Sequence, residues 1–584
     1  MSFELSITYY LTFGMINLTK QKLENLLINE GLVDKQTFEV MYQEAERRKQ
    51  NPADVFISKD IISKERFYDT LSRYLNVPQL DFHQTKIDEN VLNIVPENIA
   101  RQRKMIIFNR NEDGSYNVAM ENPANLDTVK FLSVRLGAPI RIYLATEDDL
   151  NRGYTLYGQK RAEDYKQVIE ESIQASLRSK AQGIEEAAQD LPIVAIVDNL
   201  LAYAISSRAS DIHFEILSDV VLIRFRIDGI LHEIIQMPKK IHPAVVARVK
   251  ILSELRIDEH NKPQDGRFRH NLGSKLIDIR VSIVHTFYGE KVEMRLLDAA
   301  QKPLSLEELG MFGEVRKAVQ SAIKTSYGMI LVCGPTGSGK TTTLYSIMNI
   351  LNQPKVNVVT VENPIEYDMR YVNQMQINPR AGITFANGLR SILRQDPDII
   401  MVGEIRDAET AGISVQSALT GHLVLSSLHT NDAPTTIPRM IDMGVKRFLV
   451  AAVLNLVSAQ RLVRQVCDDC KVPYEPKKAE IKAIKEQFEL LGIPEKEMII
   501  PKKFYKGEGC NSCNGLGYRG RIGIFEVMEI NDRMRKFVNS EEFNLDGLRS
   551  MAKDEGMVTM FEDGLKKVEQ GITTMEEIFR VIRE

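Results

Sequence analysis

The sequence of 584 residues contains no tryptophan and only five cysteines, and its charges nearly balance at a formal net charge of −4. It also lacks any run of about eighteen uninterrupted apolar residues, so no transmembrane helix is expected. Without tryptophan or an excess of basic residues, it offers no pattern that favours binding of single-stranded nucleic acid. The rest of the composition, 43% hydrophobic and 26% charged, is typical of globular protein, and the length predicts about three or four domains.

The N-terminal residues 7–15 are loosely apolar, but they lack a basic leader and a small-residue cleavage site. They therefore do not resemble a signal peptide. We expect a cytoplasmic protein whose contacts with a membrane come through partners.

Four of the five cysteines form two close pairs, Cys467-x2-Cys470 and Cys510-x2-Cys513. Two such pairs in a cytoplasmic protein predict a tetrahedral structural zinc site. The spacer of about 40 residues is longer than that of common zinc ribbons. Disulfides are the alternative, which a reducing cytoplasm disfavours, and Cys333 is predicted to be a core residue.

The most informative motif spans residues 334–341, Gly-Pro-Thr-Gly-Ser-Gly-Lys-Thr, directly after the apolar run 329–333. It matches the phosphate-binding pattern G-x4-G-K-[ST] in its required setting, between a strand and a helix. Lys340 would reach the β- and γ-phosphates, and the Thr341 hydroxyl would ligate Mg²⁺. The sequence thus predicts binding of ATP with Mg²⁺. The residues predicted to bind the nucleotide are Gly334, Pro335, Thr336, Gly337, Ser338, Gly339, Lys340, Thr341 and Thr342.

Acidic residues follow two further predicted strands. The strand at 356–361 leads to Glu362 and Glu366, and the strand at 399–402 leads to Gly403-Glu404. Active sites of parallel sheets lie at the carboxyl ends of strands. Acids at strand ends are more often solvated or capping residues, but several of them behind one phosphate loop favour catalysis. A third strand at 423–427 is flanked by histidines, His422 and His429.

These motifs together resemble the type II/type IV secretion ATPase superfamily, the motors of type IV pili and type II secretion. The similarity extends from about residue 190 to 584 and consists of several motifs in the same order. They are 210–213, 224–229, 263–267, 289–297, 334–343, 361–367, 393–398, 403–407 and 420–431.

The resemblance implies a role for each motif. Glu366 would polarise the attacking water, and Glu404 would organise Mg²⁺ through its water shell. His422 and His429 match a histidine motif near the γ-phosphate and the subunit contact. Asn363 replaces the aspartate usual in the family, but activity is expected because Glu366 is retained. The arginines that would close on the nucleotide phosphates are Arg280, Arg295, Arg390 and Arg394.

The implied fold is α/β, with a RecA-like P-loop ATPase core. Before the core we expect a helical N-terminal module with an α+β continuation (1–153), a charged and weakly attached linker (154–190) and a smaller PAS-like α+β domain (191–303). The core (304–584) would carry the tetracysteine zinc insert at about 464–520 and a helical tail. Within the N-terminal module, a short internal repeat predicts helix N-caps at Asp34 and Ser63.

The family resemblance implies a homo-hexamer that acts with an inner-membrane platform protein and other pilus assembly proteins. The N-terminal extension and the cysteine insert favour a type IV pilus assembly ATPase. A type II secretion ATPase is the first alternative, and a ring-shaped nucleic-acid translocase the second. Cyclic di-GMP is not expected as a ligand, because the repeat has Asn51-Pro52-Ala53 where related modules have Arg-Leu-Gly, and Arg135-Leu136-Gly137 lies outside it.

Overall fold

The computed structural model describes residues 19–48, 50–80, 85, 87–154, 157, 162–178, 183–272, 275–298, 303–495, 498 and 500–582. The apolar stretch at 7–15 lies outside the described residues. Contacts divide the chain into two compact units. The first contains residues 1–157, 303–507 and 521–584, and the second contains 158–302 and 508–520.

The N-terminal segment of the first unit consists of helices followed by a small mixed sheet. In this sheet β1 and β2 are antiparallel, and β2 and β3 are parallel. The helices are α1 (Lys20–Asn29), α2 (Lys35–Arg48), α3 (Pro52–Ser58), α4 (Lys64–Leu75), α5 (Glu89–Leu92), α6 (Glu97–Gln102), α7 (Leu126–Leu136) and α8 (Glu147–Tyr154), and the strands are β1 (Met105–Arg110), β2 (Tyr116–Met120) and β3 (Ile140–Leu144).

The two N-caps predicted from the internal repeat are confirmed. The Asp34 carboxylate accepts the backbone N–H three residues later at 2.9 Å, and the Ser63 hydroxyl does the same at 3.3 Å. The helices that follow, α2 and α4, each bury a phenylalanine at the repeated position, Phe38 and Phe67, both with 0% exposure. The repeat therefore specifies two helices with the same start and the same buried anchor.

The second unit is an antiparallel six-stranded sheet covered by helices, with strand order β6-β5-β4-β9-β8-β7. The hairpin predicted at Asp228-Gly229 joins β5 to β6, and both residues have positive φ, 49° and 90°. The elements are α9 (Ala162–Arg178), α10 (Ile184–Gln189), α11 (Leu191–Ser206), α12 (His242–Leu252), β4 (Ala209–Ile216), β5 (Val220–Ile227), β6 (Ile230–Pro238), β7 (Gln264–Leu272), β8 (Lys275–Thr286) and β9 (Gly289–Asp298).

The charged segment expected to be a weakly attached linker contains α9, which packs within the second unit. Ile169 and Ile173 are buried in the core of that unit, with 0% and 4% exposure. Tyr165 stacks on Tyr203 of α11 with the ring centroids 5.3 Å apart. These three α9 residues recur every four positions and form one apolar face, although the rest of the helix is charged.

The remainder of the first unit surrounds a seven-stranded sheet of order β12-β11-β13-β14-β10-β15-β18. The helices are α13 (Gly313–Ala322), α14 (Lys340–Leu351), α15 (Phe385–Ile392), α16 (Ala408–Leu419), α17 (Thr436–Asp442), α18 (Arg447–Val453), α19 (Lys478–Leu490), α20 (Asp532–Asn539), α21 (Leu545–Asp554), α22 (Met560–Glu569) and α23 (Met575–Ile582). The strands are β10 (Gly328–Cys333), β11 (Val358–Glu362), β12 (Val372–Gln376), β13 (Ile399–Val402), β14 (Leu423–Leu428), β15 (Leu454–Val466), β16 (Lys471–Tyr474), β17 (Phe504–Gly507) and β18 (Tyr518–Glu529), with β16 and β17 forming a separate antiparallel pair.

The strands from β12 to β15 run parallel in this sheet. The four strands β11, β13, β14 and β10 are buried along their whole length, because helices cover both faces. Their carboxyl ends meet at one edge, so the segments that follow them are brought together. The fold is the predicted α/β P-loop core. Among the described residues, no helix is both long and apolar enough to span a bilayer.

Within the first unit, the end of α3 packs against the C-terminal end of α14. The buried Lys59 ammonium donates to the carbonyls of Ile350, at 3.4 Å, and of Asn352. It also pairs with the buried Glu44 carboxylate at 3.0 Å. A cation at the carbonyl end of a helix is favourable, because it compensates the unpaired carbonyls there. The next residue, Asp60, pairs with Arg316 of α13.

A buried carboxyl group on β18 joins the sheet to the loop after β14. Glu526 is 8% exposed and accepts the backbone N–H of Ala433 at 2.8 Å. Burial raises the pKa of Glu526 to about 7 from its ordinary value near 4.5. Folding therefore has to bury a carboxylate above this pH and a neutral acid below it.

We predict that Glu526→Gln stabilises the protein at pH 8 more than at pH 5.5. In the wild-type protein, Glu526 lowers the free energy of unfolding as the pH rises from the pKa of this group in the unfolded chain through its pKa in the folded protein. The amide of the variant does not titrate, and it still accepts the Ala433 N–H. Thermal unfolding at both pH values measures the difference, which we expect to be a few degrees in Tm. Glu529→Gln, on the exposed side of the same strand, is the control and should show the same change at both pH values.

Candidate functional site

The turn after β10 has a backbone that requires glycine. Gly334, Gly337 and Gly339 all have positive φ, at 148°, 79° and 89°. A Cβ atom on Gly334 would lie 2.5 Å from the Ser338 hydroxyl and 2.6 Å from the carbonyl oxygen of Gln460. The turn leads into α14, whose first N–H groups and positive dipole end face the same space. The predicted phosphate loop therefore has the expected strand–turn–helix form.

Lys340 is the first residue of α14, and its side chain folds over the loop. The ammonium donates to the carbonyls of Gly334 at 2.8 Å and Pro335 at 3.0 Å. Burial lowers the pKa of Lys340. Thr341, the next residue, is exposed on the first turn of the helix. The pair thus offers a cation for phosphate oxygens and a hydroxyl for Mg²⁺ at one helix end.

A residue not identified from the sequence supports the loop from β15. Gln460 is 1% exposed; its amide donates to the carbonyl of Ser338 at 2.7 Å and accepts from the Thr343 hydroxyl at 2.8 Å. It therefore links the loop and its helix to the neighbouring strand. The only signal in the sequence is an uncharged polar residue inside an apolar strand.

The glutamate that ends β11 and the glutamate that follows it in the next segment have different environments. Glu362 is 2% exposed, and its carboxylate accepts hydrogen bonds from Tyr345, from Thr360 at 2.5 Å and from Gln374 at 3.1 Å. Burial raises the pKa of Glu362. Glu366, four residues later, is exposed at the carboxyl edge of the sheet. Only Glu366 is therefore open to a water molecule.

Glu404 follows β13 and is grouped with two cationic or polar side chains. Its carboxylate lies 2.7 Å from Nε of Arg406 and 3.4 Å from Nε2 of His429, which follows β14. The Glu404 side chain is 14% exposed. It presents carboxylate oxygens, the ligands that Mg²⁺ and its water shell prefer, at the same edge as the phosphate loop. The structure thus brings Lys340, Glu404, Glu366 and His429 to one edge of the sheet.

Two other predicted site residues lie at the opposite edge. His422 directly precedes β14 and bonds through Nδ1 to the carbonyl of Ser417 at 2.8 Å. The six residues of β14 span roughly 20 Å and separate it from the carboxyl edge. Arg394 is adjacent to Gln395, whose carbonyl accepts from Asn357 at the start of β11. The predicted contacts of His422 and Arg394 with nucleotide phosphates therefore stay predictions.

Two of the three remaining predicted arginines pair with nearby acids. Arg390 of α15 pairs with Glu409 of α16. Arg280 and Arg295 belong to the second unit, where they stand opposite each other on β8 and β9. Arg295 pairs with the buried Asp211 at 2.9 Å. Their contact with nucleotide phosphates stays a prediction.

The four paired cysteines form a cluster that fits a tetrahedral metal ion. The sulfur atoms of Cys467, Cys470, Cys510 and Cys513 all lie within 4.8 Å of one another, and none is in a disulfide. The Cys510 and Cys513 sulfurs are 3.8 Å apart, close to the sulfur spacing of about 3.8 Å that Zn–S bonds of about 2.3 Å give in a tetrahedron. Backbone N–H groups of Cys510 and Gly517 donate to the Cys513 sulfur at 3.1 and 3.2 Å, as suits a thiolate. Cys333 is buried, as predicted.

Comparison with known proteins gives consistent matches. Residues 186–580 match the family described as "Type II/IV secretion system protein", and residues 75–164 match the MshEN domain. The chain is 38% identical over 570 residues to the type IV pilus assembly ATPase PilB of Myxococcus xanthus, covering 95% of this chain and 98% of that protein. It is 46% identical over 401 residues to the type II secretion system ATPase E of Vibrio cholerae, covering 68% and 77%. The solved structure of the Legionella pneumophila ATPase DotB aligns with 66% of this chain and 95% of that one, at 22% identity and a TM-score of 0.48.

We predict that substitutions at the carboxyl edge separate binding from hydrolysis. Lys340→Ala should weaken ATP binding about 10- to 100-fold, because it removes charge-assisted bonds to the phosphates. Glu366→Gln and Glu404→Gln should still bind ATP but hydrolyse it about 100-fold more slowly. Equilibrium binding of a fluorescent ATP analogue and steady-state phosphate release measure the two effects. Asp368→Asn, an exposed acid near Glu366, is the control and should keep normal turnover.

We also predict that the cysteine cluster holds one zinc ion. Cys513→Ser should release zinc and lower Tm, because it removes one of four thiolate ligands, while leaving ATP binding in place. Metal analysis of freshly reduced protein checks this, with Cys333→Ser as the control that keeps its zinc. Wild-type protein without zinc would refute the assignment.

Proposed function

Since this chain belongs to the type II/IV secretion system protein family and is an ATP hydrolase, we propose that it is the motor of type IV pilus assembly. In this role, a homo-hexamer would couple ATP hydrolysis to pilin polymerisation through an inner-membrane platform protein. The protein would be cytoplasmic and would meet the membrane through its partners.

The observation that supports pilus assembly is the extent of the match to the pilus ATPase. That alignment covers 95% of this chain, so it includes the N-terminal segment. The match to the type II secretion ATPase of Vibrio cholerae is closer in identity, 46%, but covers 68% of the chain, and two other type II secretion proteins cover 84% at 39% and 40% identity. The shared core would supply the hydrolysis, and the N-terminal segment would select the system that it drives. Type II secretion remains the second candidate because of this higher identity in the core.

The carboxyl edge suits ATP hydrolysis with each group in a distinct role. Lys340 and the loop N–H groups would hold the β- and γ-phosphates, and Thr341 and Glu404 would organise Mg²⁺. Glu366, which is exposed, would orient the attacking water. His429 shares the Glu404 carboxylate and would sense the γ-phosphate through it.

The arginines are proposed to act between units or subunits. Arg280 and Arg295 lie on the second unit, so movement of that unit would carry positive charge onto or away from the γ-phosphate and couple hydrolysis to displacement. Arg390 would assist from the first unit. His422 and Arg394, at the amino edge, would take part in contacts with a neighbouring subunit of the ring.

The N-terminal segment is proposed to dock to the membrane partner. The MshEN match lies at residues 75–164 and includes Arg135-Leu136-Gly137, whereas the helical repeat that precedes it carries Asn51-Pro52-Ala53. Since Arg-Leu-Gly is missing from the repeat, we propose that the N-terminal segment does not bind cyclic di-GMP.

We predict that full-length Glu404→Gln protein, held with ATP, captures a pilus platform protein from membranes of the source organism. This variant should accumulate in the ATP-bound state, in which we expect the motor to bind its platform protein most tightly. A tagged pull-down with mass spectrometry provides the measurement, and Lys340→Ala, which should bind ATP more weakly, is the control.

Each outcome of this experiment assigns a function. Recovery of a type II secretion platform protein would mean that ATP hydrolysis by this protein drives pseudopilus extension instead. Recovery of no membrane partner, together with several-fold stimulation of ATP hydrolysis by DNA, would identify a nucleic-acid translocase and refute the proposal.

A further inference from the structure

A buried polar network joins α14 to the acidic segment after β11. The hydroxyl of Tyr345, a residue with 0% exposure, donates to the Glu362 carboxylate and accepts the backbone N–H of Glu366 at 3.3 Å. Gln374 of β12 donates to the Tyr345 hydroxyl at 3.2 Å and to Glu362 at 3.1 Å. Thr360 of β11 donates to the same carboxylate at 2.5 Å. One hydroxyl thus connects the helix, two strands and the segment that carries Glu366.

Burying the Glu362 carboxyl group in this network costs free energy of folding, which suggests that the network has a function. Burying a carboxyl group is unfavourable even when every oxygen is hydrogen-bonded, and burial raises the pKa of Glu362. Because Glu362 is almost fully enclosed, it cannot itself act on a water molecule at the edge of the sheet. Its two other donors, Thr360 and Gln374, instead hold it as a fixed acceptor for Tyr345.

Glu366 needs such support because of where it lies. Residues 363–371 contain neither helix nor strand, and the Glu366 side chain is exposed. A catalytic group has to be held within about 0.5 Å of its productive position, and each hydrogen bond to the backbone of this segment contributes to that. The Tyr345 hydroxyl binds the Glu366 backbone to the helix that starts with Lys340 and Thr341.

We propose that Tyr345 is a positioning residue. It fixes Glu366 relative to the phosphate-binding end of α14, the helix that contains Tyr345. The inference rests on the role proposed above for Glu366 in orienting water. Lys340 and the Glu366 backbone are then both attached to α14, so the distance between them is fixed by this helix as well as by the loop at 363–371.

The first test is Tyr345→Phe in the full-length protein. Loss of the hydroxyl should lower kcat about five- to ten-fold, since one hydrogen bond to the Glu366 segment is lost. The KM for ATP and the affinity for a fluorescent ATP analogue should not change, because the phosphate loop is untouched. Tyr367→Phe is the control: its ring packs on Tyr345 with centroids 4.5 Å apart, and the substitution leaves the network bonds in place.

A double-mutant cycle shows whether Tyr345 acts through Glu366. If it does, Tyr345→Phe combined with Glu366→Gln should be no slower than Glu366→Gln alone. A further loss of the full five- to ten-fold in the double variant would mean an independent structural effect and would overturn the proposal. Unchanged kcat in Tyr345→Phe would overturn it as well.

The outcomes also separate this proposal from the one on which it rests. Normal turnover in Glu366→Gln would refute the role of Glu366 itself, whereas a slow Glu366→Gln beside a normal Tyr345→Phe would refute only the network. If Tyr345→Phe does not fold, Gln374→Met tests the network from β12, because it removes the bonds to Tyr345 and Glu362 together with those to the backbone of Tyr367 and Met369. It too should lower kcat without changing the KM for ATP, and an unchanged kcat would contradict the proposal.

Discussion

The structure depends on one constraint, which is that β11, β13, β14 and β10 run parallel and end at a single edge of the sheet. Each strand is too deeply buried to carry polar groups that lack partners, so the reactive side chains stand just beyond the strand ends. The glycine-rich turn, the acids and His429 meet there although about a hundred residues separate the first from the last. Any change that reversed or shifted one strand would disperse the site.

Features that depend on short stretches of chain could be predicted from the sequence. The phosphate loop follows from glycine spacing between an apolar strand and a helix, and the caps at Asp34 and Ser63 follow from the residue types that accept N–H groups at helix starts. The turn at Asp228-Gly229 is likewise local, because both positions need positive φ. The grouping of the acids at one edge could also be predicted. Strands that alternate with helices form parallel sheets, and the carboxyl ends of parallel strands meet at the same edge.

Features that depend on distant contacts could not be predicted. Glu362 and Glu366 differ little in sequence context, and only the approach of Tyr345 and Gln374 separates a buried carboxyl from an exposed one. Gln460 supports a loop that lies 122 residues earlier. The apolar face of α9 is narrow in a charged segment, so its packing depends on a partner helix that the local composition does not reveal.

The division of the first unit into three stretches of sequence has a consequence for its synthesis. Its central sheet has β18 at one edge, and this strand and the tail helices are translated after all the other strands. Most of the second unit lies in one continuous stretch, 158–302, which leaves the ribosome earlier. Because chains fold as they emerge, the sheet of the ATP-binding core is completed only after β18 has been synthesised. A nascent chain that has not yet reached β18 would expose an unpaired strand edge, which can pair with another chain.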